Sequence, residues 1–143
     1  MAASVRILIV DDFEPWRRLL FFFLQQSPAW QIICEASDGL EAIEKTRELQ
    51  PDLILMDIGL PKLNGIEAAR QIRKIAPRSR ILFLSENCSP EVVRAAFSAG
   101  GHGYVVKSDA AQDLLAAIQA VIGDKQFVGG RFSTQDLSRP TGA

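Results

Sequence analysis

Short apolar runs alternate along the chain with longer segments in which apolar residues recur at helical spacing. The apolar runs lie at residues 5–10, 31–35, 53–56, 81–84 and 103–106. Each run is almost continuously apolar, which is typical of strands in a parallel sheet that helices cover on both faces. Five such strands alternating with five helices predict an α/β fold, (βα)5, with a doubly wound parallel sheet and right-handed crossovers.

Capping and terminating residues mark the intervening helices. Asp38 with Glu41, and Asn64 with Glu67, predict capping boxes at the starts of the second and third helices. The fifth helix is expected to end at Gly123 in the left-handed conformation that glycine adopts most easily.

The first helix carries more large apolar residues than one buried stripe requires. Its predicted stripe comprises Trp16, Leu19, Leu20, Phe23 and Leu24. Phe21 and Phe22 lie to the sides of this stripe, and two interpretations of them stay open. Either one of them fills a core face wider than this stripe, since a surface helix can bury an arc of about 100° or more, or they form an exposed patch for docking a partner or for self-association.

Length, composition and charge narrow the class of protein. With 143 residues, of which 48% are hydrophobic and 23% charged, the chain fits one domain, predicted at residues 1–128 and followed by a mobile tail at 129–143. A net charge of −1 argues against binding through bulk positive charge, and we expect no direct DNA binding by this chain. No apolar run reaches the roughly 20 residues of a membrane span, and no signal-peptide core is present, which predicts a cytoplasmic protein without membrane contact.

Chemically capable side chains follow four of the predicted strands. Asp11 and Asp12 follow the first strand, Asp57 the third, Ser85 the fourth and Lys107 the fifth. Each residue alone has a structural explanation, such as a helix dipole, a turn or a solvated loop. Because ligands bind at the carboxyl ends of strands in open parallel sheets, the five together favour a site at this edge.

The residue types at this edge suit phosphoryl chemistry. Three neighbouring carboxylates repel one another unless a cation lies among them, and oxygen ligands without Cys or His indicate Mg²⁺ or Mn²⁺. A lysine and a hydroxyl supply the positive charge and the donor that phosphoryl oxygens require. A central carboxylate can act as the nucleophile that forms an aspartyl phosphate.

The sequence resembles the receiver domains of bacterial two-component response regulators over residues 5 to about 122. The matching segments, in order, are Ile7-Leu8-Ile9-Val10-Asp11-Asp12, Leu53-Ile54-Leu55-Met56-Asp57, Leu60-Pro61 with Gly65, Leu84-Ser85 and Gly103-Tyr104-Val105-Val106-Lys107. The resemblance implies a flavodoxin-like fold with strand order 2-1-3-4-5. The segment Gly-Gly-His-Gly-Tyr-Val-Val-Lys is similar to receivers attached to LuxR-type DNA-binding domains; whether this is a stand-alone receiver or part of a longer chain stays open.

The resemblance implies a metal site and a phosphoacceptor. By position, Asp57 resembles the phosphoacceptor of the family, which accepts a phosphoryl group from a phosphohistidine. Asp12 resembles the direct Mg²⁺ ligand, Asp11 the residue that helps through water, and Gly59 the backbone carbonyl ligand.

The resemblance also implies a switch and its partners. Lys107 resembles the lysine that pairs with the phosphoryl group, Ser85 the hydroxyl that bonds to it, and Tyr104 the aromatic switch residue. The implied partners are a sensor histidine kinase or phosphotransfer protein, and a second copy of the chain. Such a domain is no enzyme beyond its own phosphoryl transfer and dephosphorylation.

Two departures from the family pattern and two alternatives accompany this interpretation. Glu86 stands where a small residue is usual, and Ser108 where proline is frequent.

One alternative is a pseudo-receiver that acts as an interaction module independent of phosphorylation. The other, a haloacid-dehalogenase-like phosphatase, is disfavoured because Gly59 occupies the place of its general acid, two residues after the nucleophile.

Overall fold

The computed structural model describes residues 4–129 and Phe132, and these form a parallel sheet between two layers of helices. The strands are β1 Val5–Val10, β2 Trp30–Ala36, β3 Leu53–Met56, β4 Arg80–Ser85, β5 Gly103–Val106 and β6 Phe127–Val128. The helices are α1 Glu14–Leu24, α2 Gly39–Leu49, α3 Gly65–Ile75, α4 Pro90–Ser98 and α5 Ala110–Ile122. A single 3₁₀ turn, Lys107–Asp109, leads from β5 into α5.

The strand order is β2-β1-β3-β4-β5-β6, with every neighbouring pair parallel. The doubly wound sheet and the order 2-1-3-4-5 are therefore confirmed. The sixth strand was not predicted, because two residues are too few to produce a periodic apolar pattern. It extends the sheet beyond β5 and brings the chain after α5 back beside Tyr104.

Each face of the sheet has its own apolar core. On one face, α1 and α5 bury Leu20, Leu24, Leu114 and Ile118 against the strands. On the other face, α2, α3 and α4 bury mostly small side chains, Ala42, Ala68, Ala69, Ile72, Val93 and Ala96. Because both faces are covered, β3 is buried at all four of its positions, as its continuous apolar run predicted.

The predicted capping boxes are confirmed, whereas the predicted end of α5 is wrong in detail. Asp38 and Asn64 each accept a hydrogen bond from the backbone N–H three residues later, at 2.8 and 2.9 Å. Gly123 follows α5 directly but has φ −84°, and the left-handed residue is Asp124 with φ 63°. Aspartate tolerates this region, and the side chain of Asp124 pairs with Arg80.

The structure shows which apolar residues of α1 are buried. Leu20 and Leu24 are buried, with Trp16 and Phe23 packed beside them, but Leu19 is 44% exposed and was wrongly assigned to the stripe. Leu19 lies at the edge of the stripe, and the described core does not extend to it. Phe22 is 73% exposed, so it does not fill a wider core face, whereas Phe21 is half-buried.

The predicted tail is described at two positions, Gly129 and Phe132, and both are buried. Residues 133–143 lie outside the described residues, so the predicted mobile tail and the boundary at residue 128 stay predictions. Among the described helices, none has the length and apolar character needed to cross a bilayer.

Candidate functional site

The carboxyl edge of the sheet brings three carboxylates together. Asp11 directly follows β1 and Asp57 directly follows β3, and these strands are paired neighbours. The backbone N–H of Asp57 donates to the carbonyl of Val10 at 2.9 Å, which continues the strand pairing up to the acids. One carboxylate oxygen from each of Asp11, Asp12 and Asp57 lies within 4.8 Å of the others. This spacing allows the three side chains to act on one ion.

Lys107 reaches the acidic cluster from the end of β5. Its Nζ donates to Oδ2 of Asp11 at 2.6 Å and lies 3.6 Å from Oδ2 of Asp57. The lysine side chain is only 12% exposed, so the charge contacts are shielded from water. Lys107 neutralises part of the negative charge of the cluster, and its ammonium lies beside Oδ2 of Asp57.

The carboxyl group of Asp57 is held in a partly desolvated position. Burial raises the pKa of Asp57 above its ordinary value, and the charge of Asp11 raises it further. Lys107 and the backbone N–H groups of Ile58 and Gly59 act in the opposite direction. Ile58 N–H donates to Oδ1 of Asp57 at 2.8 Å, which leaves Oδ2 directed towards Lys107. A nearby cation would therefore favour the ionised form.

The loop after β3 shapes one wall of the site. Gly65, the first residue of α3, donates its N–H to the carbonyl of Ile58 at 2.8 Å. A Cβ at Gly65 would lie 2.0 Å from the carbonyl oxygen of Asp57, so only glycine permits this approach. Gly59 is exposed and lines the site, and a Cβ there would meet nothing within 4 Å. Any role of Gly59 would therefore be carried by its backbone rather than by the lack of a side chain.

These groups surround an open cavity of about 460 Å³. Its lining residues are Asp11, Asp12, Phe13, Asp57, Gly59, Ser85, Glu86 and Lys107. Among the described residues, Asp12 is the exposed carboxylate of the cluster and has no hydrogen-bond or ion-pair partner. The cavity therefore offers two held carboxylates, Asp11 and Asp57, two exposed carboxylates, Asp12 and Glu86, a cation and a hydroxyl.

Ser85 and Tyr104 lie one behind the other and share a neighbour, Asn87. The Ser85 hydroxyl oxygen accepts from Asn87 N–H at 3.2 Å, and the Tyr104 hydroxyl donates to the Asn87 carbonyl at 2.7 Å. Burial raises the pKa of Tyr104, against the smaller opposing effect of the Ser85 hydroxyl. Tyr104 is fully buried and does not line the cavity. The sequence contained no signal for Asn87, because its part depends on backbone atoms.

An aromatic wall beside Lys107 was also missed from the sequence. The Lys107 ammonium lies 5.2 Å from the centroid of the Trp16 ring, within cation–π distance. Phe13 and Trp16 line a neighbouring surface cavity, and Lys107 and Glu86 line it as well. Two aromatic residues shortly after the Asp11-Asp12 pair are the pattern that would have pointed to this wall.

Comparison with known proteins places the chain in a family. The model of the response regulator receiver domain matches residues 7–119. The chain belongs to the response regulator receiver family. Response regulator protein VraR from Staphylococcus aureus is 34% identical over 116 residues, which cover 81% of this chain and 56% of that protein. This receiver domain thus spans about half the length of the curated relatives that it matches.

Solved receiver structures support the same assignment. A LuxR-family two-component response regulator from Aurantimonas sp. SI85-9A1 is 32% identical with a TM-score of 0.88, covering 95% of this chain and 96% of that one. The response regulator domain of Thermotoga maritima CheB is 32% identical with a TM-score of 0.77, covering 84% of this chain and 97% of that one. The chain is a receiver domain of two-component signalling, and its similarity to LuxR-type receivers is confirmed.

Proposed function

We propose that Asp57 accepts a phosphoryl group from the phosphohistidine of a sensor histidine kinase or phosphotransfer protein in the cytoplasm. The observation that carries the proposal is the buried Asp57 carboxylate, which lies near Lys107 and two further acids at the carboxyl edge of the sheet. Oδ1 of Asp57 is held by Ile58 N–H, so Oδ2 is the oxygen that attacks phosphorus. An O–P bond forms, the P–N bond of the donor breaks, and the donor imidazole retains the electron pair.

The acidic cluster fits Mg²⁺, which bears positive charge that stabilises the phosphoryl oxygens when it is bound. Asp12 and Asp57 would ligate the ion directly, with the carbonyl of Gly59 as a further ligand. Asp11 would act through water, because one of its oxygens is bound to Lys107 and the other accepts from Phe13 N–H at 2.9 Å. Mn²⁺, with similar oxygen preferences, would fit the same donors.

Lys107 and Ser85 act on the transferred group itself. Lys107 pairs with a phosphoryl oxygen from its position beside Oδ2 of Asp57, and the Ser85 hydroxyl donates to a second one. These contacts neutralise and orient the phosphoryl group, as positioning and electrostatic stabilisation do in phosphoryl transfer generally. The domain performs only this transfer and its own dephosphorylation, in which water takes the phosphoryl group, inorganic phosphate leaves and the Asp57 carboxylate is regenerated.

The test is intact-mass measurement after incubation with a phosphodonor, once with Mg²⁺ and once with a chelator. We expect one added phosphoryl group per chain with Mg²⁺ and none with the chelator. A phosphohistidine-bearing kinase domain and a small donor should be tried in parallel. No mass gain from either donor would instead identify the chain as a pseudo-receiver that acts as an interaction module.

Glu86 is expected to slow phosphorylation by small anionic donors. Its exposed carboxylate borders the cavity, where it repels an approaching anion. A like charge near 4 Å costs about 1 kcal/mol in water, so Glu86→Ala should raise the rate with a small donor about fivefold at low salt. The rate should be followed by phosphorylation time courses at two ionic strengths. An unchanged rate, or the same gain in Glu14→Ala, an exposed acid outside this cavity, would contradict the repulsion.

The exposed face of α1 is proposed as the surface that docks the phosphodonor. Phe22 is 73% exposed beside a groove of about 570 Å³ that Phe21 and Arg18 also line. Phe22→Ser should slow transfer from a partner about tenfold, as expected when an interface loses about 1.4 kcal/mol, and should change stability by less than about 0.5 kcal/mol. Leu40→Ser, an exposed apolar residue on α2, is the matched control. Equal slowing in both variants would place the docking surface elsewhere.

Ser85 is proposed to transmit phosphorylation to Tyr104. A phosphoryl group on Asp57 draws the Ser85 hydroxyl inward and favours the state in which the Tyr104 ring is buried behind it. Ser85→Ala should still accept the phosphoryl group but show a reduced gain in partner binding or dimerisation, measured by sedimentation. If phosphorylated Ser85→Ala self-associates as strongly as phosphorylated wild type, the signal does not pass through this hydroxyl.

A further inference from the structure

The chain that follows α5 is held against the sheet beside Tyr104 by backbone hydrogen bonds. Phe127 N–H donates to the His102 carbonyl at 3.2 Å, and Gly129 N–H donates to the Tyr104 carbonyl at 3.3 Å. Phe132 N–H then donates back to the Gly129 carbonyl at 3.1 Å. We call residues 127–129 together with Phe132 the clasp. These bonds hold the side chain of Phe132 on the face of the sheet that α4 covers.

The ring of Phe132 packs against the ring of Tyr104. The ring centroids are 6.0 Å apart and the planes meet at 83°, an edge-to-face arrangement that aromatic rings favour. A second ring, that of Phe83, lies 6.4 Å from Tyr104 at 37°. Phe132 is only 8% exposed and Tyr104 is fully buried. Phe132 therefore supplies part of the apolar surface that keeps Tyr104 out of water.

Tyr104 connects the clasp to the phosphorylation cavity by hydrogen bonds. Its hydroxyl donates to the Asn87 carbonyl at 2.7 Å, and Asn87 N–H donates to the Ser85 hydroxyl oxygen at 3.2 Å. Ser85 lines the cavity together with Asp57. Asn87 therefore links Ser85 to the Tyr104 ring that Phe132 contacts, so a movement of Ser85 would act on the hydrogen bonds of Asn87 and, through them, on that ring.

We propose that the surface presented by Tyr104 and Phe83 is an intramolecular docking site for the clasp, and that Phe132 docking and phosphoryl occupancy of Asp57 favour each other. The proposal rests on the proposed phosphoacceptor function, because the coupling runs through Ser85. A phosphoryl group that draws Ser85 inward favours the buried Tyr104 ring, and the buried ring is the one that packs edge to face with Phe132. Linkage requires that each event strengthen the other by the same factor.

The experiment measures the affinity of the full chain for beryllium fluoride with Mg²⁺, which imitates a phosphoryl group on an aspartate. Phe132→Ala should bind the probe about fivefold more weakly than wild type, at the lower end of typical couplings. Phe132→Leu, which retains an apolar side chain, should restore part of the affinity. Leu40→Ala, which removes an exposed apolar side chain on α2, should bind as wild type does. In wild type, the probe should slow hydrogen exchange of the Phe127 and Gly129 amides.

The outcomes separate this proposal from the proposed function. Equal affinity of wild type and Phe132→Ala would overturn the coupling and leave the phosphoacceptor function standing. Unchanged exchange of the Gly129 amide on binding would also overturn the coupling, and this measurement needs no variant. Failure of wild type to bind the probe at all would overturn the phosphoacceptor function, and the coupling with it.

Discussion

Asp57→Asn is expected to abolish phosphorylation of the chain by either a kinase or a small donor. The amide preserves the size of the side chain and can still accept from Ile58 N–H, but it lacks the anionic oxygen that attacks phosphorus. The measurement is intact mass after incubation with donor and Mg²⁺. Asp124→Asn is the matched control, because it makes the same chemical change at an exposed residue that does not line the site. We expect full phosphorylation of the control.

Asp57→Asn should also have a larger free energy of unfolding than wild type when no metal is bound. The pKa of Asp57 is raised in the folded chain, chiefly by burial, so ionisation of this carboxyl costs folding free energy. The cost begins as the pH rises through the ordinary value near 3.8 and is complete above the raised folded value. Asp57→Asn removes it, which should raise the melting temperature in chelator at neutral pH by a few degrees. Donor labelling equal to wild type, or a lower melting temperature in chelator, would contradict this assignment of Asp57.

Asp12→Ala is expected to remove most of the stabilisation that Mg²⁺ confers on wild type. An ion that binds only the folded chain stabilises it by mass action, by about 2.7 kcal/mol at a concentration 100 times its dissociation constant. Asp12 is the exposed carboxylate of the cluster, so its loss leaves Asp11 and Asp57, which are already held by protein contacts. Thermal unfolding across a Mg²⁺ titration should show a rise of several degrees for wild type and little for the variant.

Glu14→Ala provides the control for the metal experiment. Glu14 is an exposed acid in the first turn of α1 and pairs with Arg18 rather than lining the cavity. Its removal changes the net charge as Asp12→Ala does, so it accounts for any general electrostatic effect of the ion. A Mg²⁺ response that survives in Asp12→Ala, or is lost equally in Glu14→Ala, would mean that the ion binds outside this cluster.

The apolar pattern predicted the sheet because strands that are buried on both faces are apolar at nearly every position. The run at residues 53–56 became β3, buried throughout, and the capping residues Asp38 and Asn64 start their helices as predicted. Once the order of the strands is known, the carboxyl ends of β1, β3, β4 and β5 share one edge. The sequence therefore predicted that Asp11, Asp12, Asp57, Ser85 and Lys107 meet at this edge, and the structure brings these five residues together around one cavity.

Only the tertiary structure decided the features that depend on contacts distant along the chain. The partial burial of Asp57, the bond between Lys107 and Asp11, and the exposure of Phe22 follow from how elements pack. Local periodicity does not contain that information. The clasp is the clearest case: two strand residues and one phenylalanine are too short a signal to read, and Phe132 becomes informative only because β6 returns the chain to Tyr104. Patterns of nearby residues determine where helices and strands form. The burial, charge and hydrogen bonding of a site depend on residues that are distant along the chain and that only the fold brings together.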